Sequence, residues 1–174
     1  MSNFDVAVAM IRVVVGGTMI AHGYNHLWGG GGLAGTTRWF DALGMHPAKL
    51  HALLSGAGEL AAGVALAVGL LTPLAAAFVV GTMTVAAVTA HRRNGFFVFK
   101  DGYEYVLMIG IVSTALAILG PGSLSIDHAA GLHAGLDGGV GAAVAAGGGA
   151  LGAVVLLGTT WHPPRRDPVE TAQQ

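Results

Sequence analysis

Charge is scarce in this sequence. Only 10% of its 174 residues are charged, whereas soluble domains carry about 25%. Eight Lys and Arg against nine Asp and Glu give a formal net charge of -1, so there is no basic surplus with which to bind nucleic acid. Cysteine is absent as well, which excludes disulfides, thiolate metal sites and CxxC redox chemistry.

Apolar residues are abundant instead. They make up 53% of the chain, and the mean hydropathy is +0.67. A composition this apolar excludes a largely disordered chain and a water-soluble globule. It predicts an all-α integral membrane protein that contacts membrane lipid over most of its surface.

The apolar segments have the length of membrane spans, because a bilayer core about 30 Å thick needs roughly 20 residues per helix. They predict a four-transmembrane-helix bundle within residues 1–134, with spans at about 6–28, 50–71, 73–90 and 103–119. A fifth, Gly- and Ala-rich transmembrane helix is predicted within 135–162, and residues 163–174 form a polar tail.

The basic residues are unevenly divided between the two sides of this topology. Five spans place the loops around 29–49 and 91–102 on the same side as the tail. That side then carries Arg38, Lys49, Arg92, Arg93, Lys100, Arg165 and Arg166. Arg12 falls on the other side, where we expect it to pair with Asp5 or to extend towards water. We expect a multi-pass protein of a bacterial plasma membrane. The positive-inside rule predicts that its N-terminus lies outside and its C-terminus in the cytoplasm.

Two of the connections contain aromatic residues suited to a membrane interface. The segment 36–44 has a Thr cap, an aromatic pair and a terminal Gly, which predicts a short interfacial helix. The segment 96–99, Phe-Phe-Val-Phe, is typical of a dipping hairpin or wedge. Aromatic anchoring is the ordinary interpretation of both segments, and covering the entrance to a ligand site is the alternative.

Ionisable side chains within the spans are the best candidates for function. A charge at mid-bilayer costs about 2.5–3.5 kcal/mol on insertion scales, so it should face the bundle and have a partner. All four core helices bring polar groups to the same half of the bundle. These residues are His22, His26, Glu59, His91, Glu104 and Tyr105. His22 and His26 are four apart and share one face of the first helix. The cluster indicates a small-molecule or proton site, and hydrogen bonding between helices is the alternative.

No metal or nucleotide is expected as a cofactor. The glycine run at 29–32 does not follow a strand, as a nucleotide-binding loop would. His128 and His133 lack the i, i+4 spacing of a helical metal pair.

Several motifs resemble those of the DoxX family. The run His22-Gly-Tyr-Asn-His26-Leu is similar to a His-Gly-x-x-Lys-Leu signature at the end of the first helix, and Gly58-Glu59-Leu-x-x-Gly follows in the second. Gly-Tyr-Glu-Tyr at 102–105 and a closing motif at 120–127 come in the expected order. The resemblance covers about residues 8–130. Here the family's Lys is His26, and the fifth span lies beyond the family core.

The resemblance implies a four-helix membrane core and a link to quinone chemistry, since relatives include the small membrane subunit of thiosulfate:quinone oxidoreductases. We therefore expect an integral membrane subunit of a redox complex that binds quinone as its cofactor. His22 or His26 would hydrogen-bond a quinone carbonyl, with His91 and Tyr105 completing the site. Glu59, Glu104 and His22 would be the catalytic groups that exchange protons.

The expected partner is a protein that supplies electrons, because the chain shows no motif for an electron-carrying cofactor. Pairs of small residues four apart also allow a homo-oligomer. Two other functions remain open from the residues: a non-catalytic membrane scaffold that recruits partner proteins, and a small-solute or proton carrier. The scaffold would use the polar network only to fix helix packing.

Overall fold

The computed structural model describes residues 2–132 and 135–164. Over these residues the regular structure is helical apart from one isolated β-bridge between Met45 and Trp161. The all-α prediction is confirmed. The predictions that concern His133, Arg165 and Arg166 lie outside the described residues, as does the tail after Pro164.

The helices follow the apolar segments of the sequence. They are α1 (Asn3–Trp28), α2 (Gly32–Ala42), α3 (Ala48–Val68), α4 (Thr72–Ala86), α5 (Glu104–Leu119), α6 (Ile126–Ala129), α7 (Gly138–Ala142) and α8 (Gly149–Thr160). The π-helical turn Ala87–His91 extends α4, and a second one, Ala143–Gly148, joins α7 to α8. Short 3-10 turns occupy Arg92–Asn94 and Val98–Lys100.

Four helices in the described part of the chain are long and apolar enough to cross a membrane. They are Asn3–Trp28, Ala48–Val68, Thr72–Asn94 and Gly138–Thr160. The predicted span at 103–119 corresponds to α5, which has only 16 residues, or about 24 Å at 1.5 Å per residue. It nevertheless covers most of the length of α1, because Tyr105 lies beside His22 and Ser123 donates a backbone hydrogen bond to Asp5 (2.8 Å).

The connections alternate between two ends of the bundle, as five spans require. At the first end, here called the Trp161 end, the Trp161 indole donates to the Leu43 carbonyl (2.9 Å) and lies under the Arg92 guanidinium (5.7 Å). At the other, the Asp127 end, the backbone of Asp127 donates to the Gly69 carbonyl (2.9 Å). The loops predicted to share one side therefore meet at the Trp161 end.

Helices α1 and α3 approach each other closely because glycines face each other. A Cβ on Gly16 would lie 2.5 Å from the Gly63 carbonyl oxygen, and one on Gly63 would lie 2.6 Å from that of Gly16. Gly23 meets the Gly56 carbonyl in the same way, at 2.6 Å. Small residues at such a contact allow helix backbones to pack tightly inside a membrane.

A matched pair of neighbouring substitutions tests this contact. We expect Gly16→Ala to lower the free energy of unfolding by about 1–3 kcal/mol, because the added methyl group forces α1 and α3 apart. Gly17→Ala is the control, since a Cβ there meets nothing within 4 Å and alanine favours a helix over glycine. The measurement is loss of helical circular dichroism during detergent-denaturant titration. Equal stability of the two variants would contradict the proposed contact.

Two predictions for the connections need correction or refinement. The interfacial helix begins at Gly32 rather than near Thr36, because Gly31 adopts a left-handed conformation (φ 104°) that turns the chain into α2 earlier. Thr36 therefore does not cap the helix, and its hydroxyl donates to the His26 carbonyl (2.7 Å). The aromatic segment 96–99 is a compact loop, closed by backbone hydrogen bonds between residues 95–97 and 102–104.

The expectation for Arg12 is wrong. Its side chain is buried, and its guanidinium donates to the carbonyls of Leu66 (3.5 Å) and Leu124. Asp5 instead accepts hydrogen bonds from Ser2 and from the backbone of Ser123. The segment after α5 folds back over the bundle, which brings carbonyl groups and the charge of Asp127 to Arg12.

Candidate functional site

A cavity of about 630 Å³ opens near the Trp161 end of the bundle, between α1, α2, α3, α4, α5 and α8. We call it the chamber. Five predicted site residues line it: His22, His26, Glu59, His91 and Tyr105. The expected convergence of polar side chains from separate helices is therefore present in the structure. The volume of the chamber is within the range of about 300–1,000 Å³ that is usual for small-molecule sites.

Glu59 is the most deeply buried polar group of the chamber, with 3% of the residue exposed. Its Oε1 accepts a hydrogen bond from the Ser55 hydroxyl (2.6 Å) and lies 3.6 Å from His26 Nε2. Its Oε2 is buried and has no hydrogen-bond partner among the described residues. Leaving a buried polar atom unpaired costs about 1–3 kcal/mol, so this oxygen is a ready contact for a ligand.

Ser55 is a chamber residue that the predicted set of site residues did not include. It lies one helical turn before Glu59 on α3 and also lines the chamber. The i, i+4 spacing was the available signal, since residues four apart are neighbours on a helix surface. The Ser55 hydroxyl donates to Oε1 of Glu59 and so fixes that oxygen. It leaves Oε2 without a hydrogen bond from the described residues.

Helix α2 brings aromatic rings to His26. The His26 imidazole stacks on Trp39 with 5.9 Å between ring centroids and meets the edge of Phe40 at 6.2 Å. Both aromatic residues line the chamber. Because the Thr36 hydroxyl holds α2 to the end of α1, this arrangement agrees with the alternative in which the 36–44 segment covers a ligand entrance.

His22 and Tyr105 form another wall, between α1 and α5. The Tyr105 hydroxyl lies 3.4 Å from His22 Nε2, and the two rings stack with centroids 5.9 Å apart. His91 lines the chamber from the π-helical turn at the end of α4, and its Nδ1 donates to the Asp101 carbonyl (2.7 Å). In a neutral imidazole held this way, Nε2 is a hydrogen-bond acceptor.

The structure does not bring Glu104 into the chamber. Its carboxylate accepts a hydrogen bond from the backbone of Val98 (2.9 Å) and so holds the aromatic loop 96–99. The loop folds back over the first turn of α5, which places the Glu104 side chain towards the loop rather than towards Glu59. The structure therefore gives Glu104 a local structural contact and separates it from the other predicted site residues.

Most of the remaining chamber wall is apolar, and α8 supplies part of it. The helix contacts α4 closely where Gly149 lies against Gly81, with 3.2 Å between a Cβ on Gly81 and the Gly149 carbonyl oxygen. Gly148 and Gly152 line the chamber, yet a Cβ on either would meet nothing within 4 Å. A few polar groups in otherwise apolar surroundings suit a ring with hydrogen-bonding groups at its edge.

Both π-helical turns border the chamber. His91 belongs to the first, and Gly148 closes the second. Such turns are rare in proteins, and those that do occur are often found at functional sites. Within the described ranges, no group of three or more His, Asp or Glu side chains is placed to hold a metal ion.

These features define a multi-pass helical membrane protein with a polar chamber near one end of its bundle. The model of the DoxX family matches residues 7–92, which contain most of α1 and all of α2, α3 and α4. The chain belongs to the DoxX family. No curated protein and no solved structure matches it. Helices α5 and α8, which form two of the chamber walls, lie outside the matched residues.

Proposed function

We propose that this protein is the membrane subunit of a redox-linked complex and that the chamber binds the headgroup of a quinone. The observation that carries the proposal is Glu59 Oε2, a buried carboxyl oxygen without a partner in a chamber that is otherwise largely apolar. Quinone rings are planar and apolar on their faces and have polar oxygens at two edges. The chamber offers aromatic faces and hydrogen-bonding groups in the same combination.

The five predicted residues that line the chamber, together with Trp39, each have a role in this proposal. His26 donates a hydrogen bond to one quinone oxygen, while Trp39 packs against the His26 imidazole. Glu59 Oε2 contacts the ligand directly, because the carboxyl group accepts a hydrogen bond when ionised and donates one when protonated. Tyr105, supported by His22, contacts the ligand from the α5 side. His91 offers Nε2 as an acceptor.

Proton exchange is the chemical step assigned to this chain. Reduction of a quinone to a quinol takes up two electrons and two protons. The electrons come from a redox protein partner, and the protons pass to the quinone oxygens from Glu59 and a neighbouring His. Glu104 has no part in this step because its carboxylate holds the 96–99 loop.

We further propose that the Trp161 end faces the cytoplasm of a bacterial cell. Arg38, Lys49, Arg92, Arg93 and Lys100 belong to the connections at this end. Arg12, near the Asp127 end, is buried, and its guanidinium donates hydrogen bonds to backbone carbonyls. An excess of basic residues in short loops marks the cytoplasmic side.

Solvent extraction of the purified protein tests the proposal. We expect the wild type, solubilised in mild detergent, to release quinone into organic solvent, with the absorbance change on borohydride reduction as the measurement. Glu59→Leu should reduce the quinone content about tenfold or more, because it removes the hydrogen bond to the ligand and leaves its oxygen unpaired. Glu104→Leu is the matched control and should retain quinone.

Absence of quinone from the wild type in this extraction would contradict the proposal and favour the scaffold. In a scaffold, Glu59→Leu alters stability or partner recovery while no ligand is found. The carrier is disfavoured by one observation: Val15 and Met19, which separate Arg12 from His22 along α1, are both buried in the apolar core.

A further inference from the structure

A second apolar cavity lies on the outside of the bundle, between α4 and α5. It is a groove of about 490 Å³ whose lining runs along α5 from Tyr103 to Ile118. Fifteen steps of 1.5 Å make that distance roughly 22 Å, which is most of a bilayer core of about 30 Å. The groove therefore has the length and direction of an extended hydrocarbon chain in a membrane.

The groove and the chamber share two wall residues. Met83 on α4 and Val106 on α5 line both cavities. Both residues are buried, with 9% and 5% exposed, so their side chains form the partition. Methionine is unbranched and adapts easily to a changed neighbour. Gly110 on α5 leaves space beside it, since a Cβ there would lie 3.9 Å from Met83 Cβ.

Beyond Tyr103, at one end, the groove offers nothing polar to a ligand. Its threonines are satisfied within their own helices: the Thr84 hydroxyl donates to the Val80 carbonyl (2.8 Å) and the Thr114 hydroxyl to the Gly110 carbonyl (3.0 Å). Ile111 and Ile118 contribute exposed apolar surface. Such a lining suits a hydrocarbon chain and gives no hydrogen bond to a polar group.

We infer that the chamber binds a long-tailed lipid whose ring lies beside Glu59 and whose tail passes between Met83 and Val106 into the groove between α4 and α5. This inference rests on the proposed function, because it assigns the tail of the same ligand. The chamber is large enough for a ring with short substituents, whereas a tail of about 22 Å needs the second cavity. A bilayer lipid that fills the groove without entering the chamber is the competing occupant.

The test compares two synthetic quinones with the same ring, one bearing a long polyprenyl tail and one bearing a single prenyl group. Binding to the protein in nanodiscs is followed by quenching of tryptophan fluorescence, since Trp39 lines the chamber. We expect the wild type to bind the long-tailed quinone about tenfold more tightly or better, because tail burial adds to ring binding.

Gly110→Phe fills the groove beside Met83 and should remove the preference for the long tail while leaving the affinity for the short-tailed quinone within about twofold. Ala115→Phe, at an exposed groove position, should also reduce the preference for the long tail. This second variant does not depend on packing beside Met83. Gly17→Phe is the control, since Gly17 lines neither cavity and has open space around it.

The outcomes separate the inference from the proposed function. If the wild type binds both quinones equally, or if both groove variants keep the preference, the tail does not occupy the groove and the inference is overturned while the chamber proposal stands. If neither quinone quenches the wild type, the chamber proposal fails and the inference fails with it. Loss of the preference in the groove variants alone supports the inference.

Discussion

Replacing Gly152 by phenylalanine is expected to prevent quinone binding in the chamber. Gly152 lines the cavity from α8, and open space surrounds its position. A phenylalanine there can therefore fill the part of the chamber that the ligand would occupy, without displacing a neighbouring helix. We expect the dissociation constant for a short-tailed quinone to rise about 100-fold, which corresponds to about 2.8 kcal/mol.

The control for this substitution is Gly158→Phe. Gly158 belongs to the same helix and also has open space, but it does not line the chamber. The affinity of Gly158→Phe for the short-tailed quinone should stay within about twofold of the wild-type affinity, since substitutions at distant sites usually act independently. Gly148→Phe, one turn before Gly152 and also in the chamber wall, should weaken binding like Gly152→Phe. Wild-type affinity in both chamber variants would show that α8 does not adjoin the ligand.

Removing the Asp127 carboxylate is expected to have the largest effect on stability. Its Oδ1 accepts a hydrogen bond from the backbone of Leu71 (2.7 Å), and its Oδ2 accepts from the backbone and hydroxyl of Thr72 (2.9 and 2.8 Å). These contacts hold the start of α4, and the same carboxylate faces the buried charge of Arg12. Without the carboxylate, three hydrogen-bond donors of Leu71 and Thr72 lose their acceptor, and each buried donor left unsatisfied costs about 1–3 kcal/mol.

We therefore expect Asp127→Ala to lower the free energy of unfolding by about 3–5 kcal/mol through the loss of these hydrogen bonds, measured by circular dichroism during denaturation in detergent. Asp137→Ala is the matched control. Asp137 is an exposed acidic residue at the same end, and it makes no side-chain cap to α7, so its loss should change the stability by less than about 0.5 kcal/mol.

A double substitution separates charge from packing in this network. Combining Arg12→Met with Asp127→Ala should cost less than the two single changes added together, because no charge is then left buried without its partner. Additive losses would show that the two residues contribute independently. A loss below about 1 kcal/mol for Asp127→Ala alone would contradict the structural role given to the carboxylate.

The spans could be predicted from the sequence because hydropathy and helix stops are local properties. The long apolar runs became α1, α3, α4 and the helix Gly138–Thr160, with ends that differ by a few residues. The C-terminal end of α3 is an example. Gly69 turns the chain in a left-handed conformation (φ 68°), so the second span stops before Leu71.

The convergence of His22, His26, Glu59, His91 and Tyr105 was also predictable in outline. A polar group inside a membrane must face the bundle, and the alternation of the spans brings these positions to one end. What the sequence could not give is the direction of each side chain. Glu104 has the right position along the chain, but a backbone hydrogen bond from Val98 takes its carboxylate away from the chamber.

Other features of the site and of the fold depend on tertiary contacts that carry no sequence signal. The contribution of α8 comes in part from glycines, which have no side chain and so create space without adding a chemical group. The burial of Arg12 depends on the chain after α5 folding back to offer the Leu124 carbonyl. Neither hydropathy nor residue spacing reports where a distant segment will place its backbone.

The most direct test of the account is a cryo-electron microscopy map of the protein in lipid nanodiscs prepared without added quinone. We predict planar density in the chamber, within hydrogen-bonding distance of Glu59 Oε2 and next to the His26 and Trp39 rings. A map in which Glu59 Oε2 is bound by another protein side chain, with the chamber closed by side chains, would contradict the claim that this site holds a ligand.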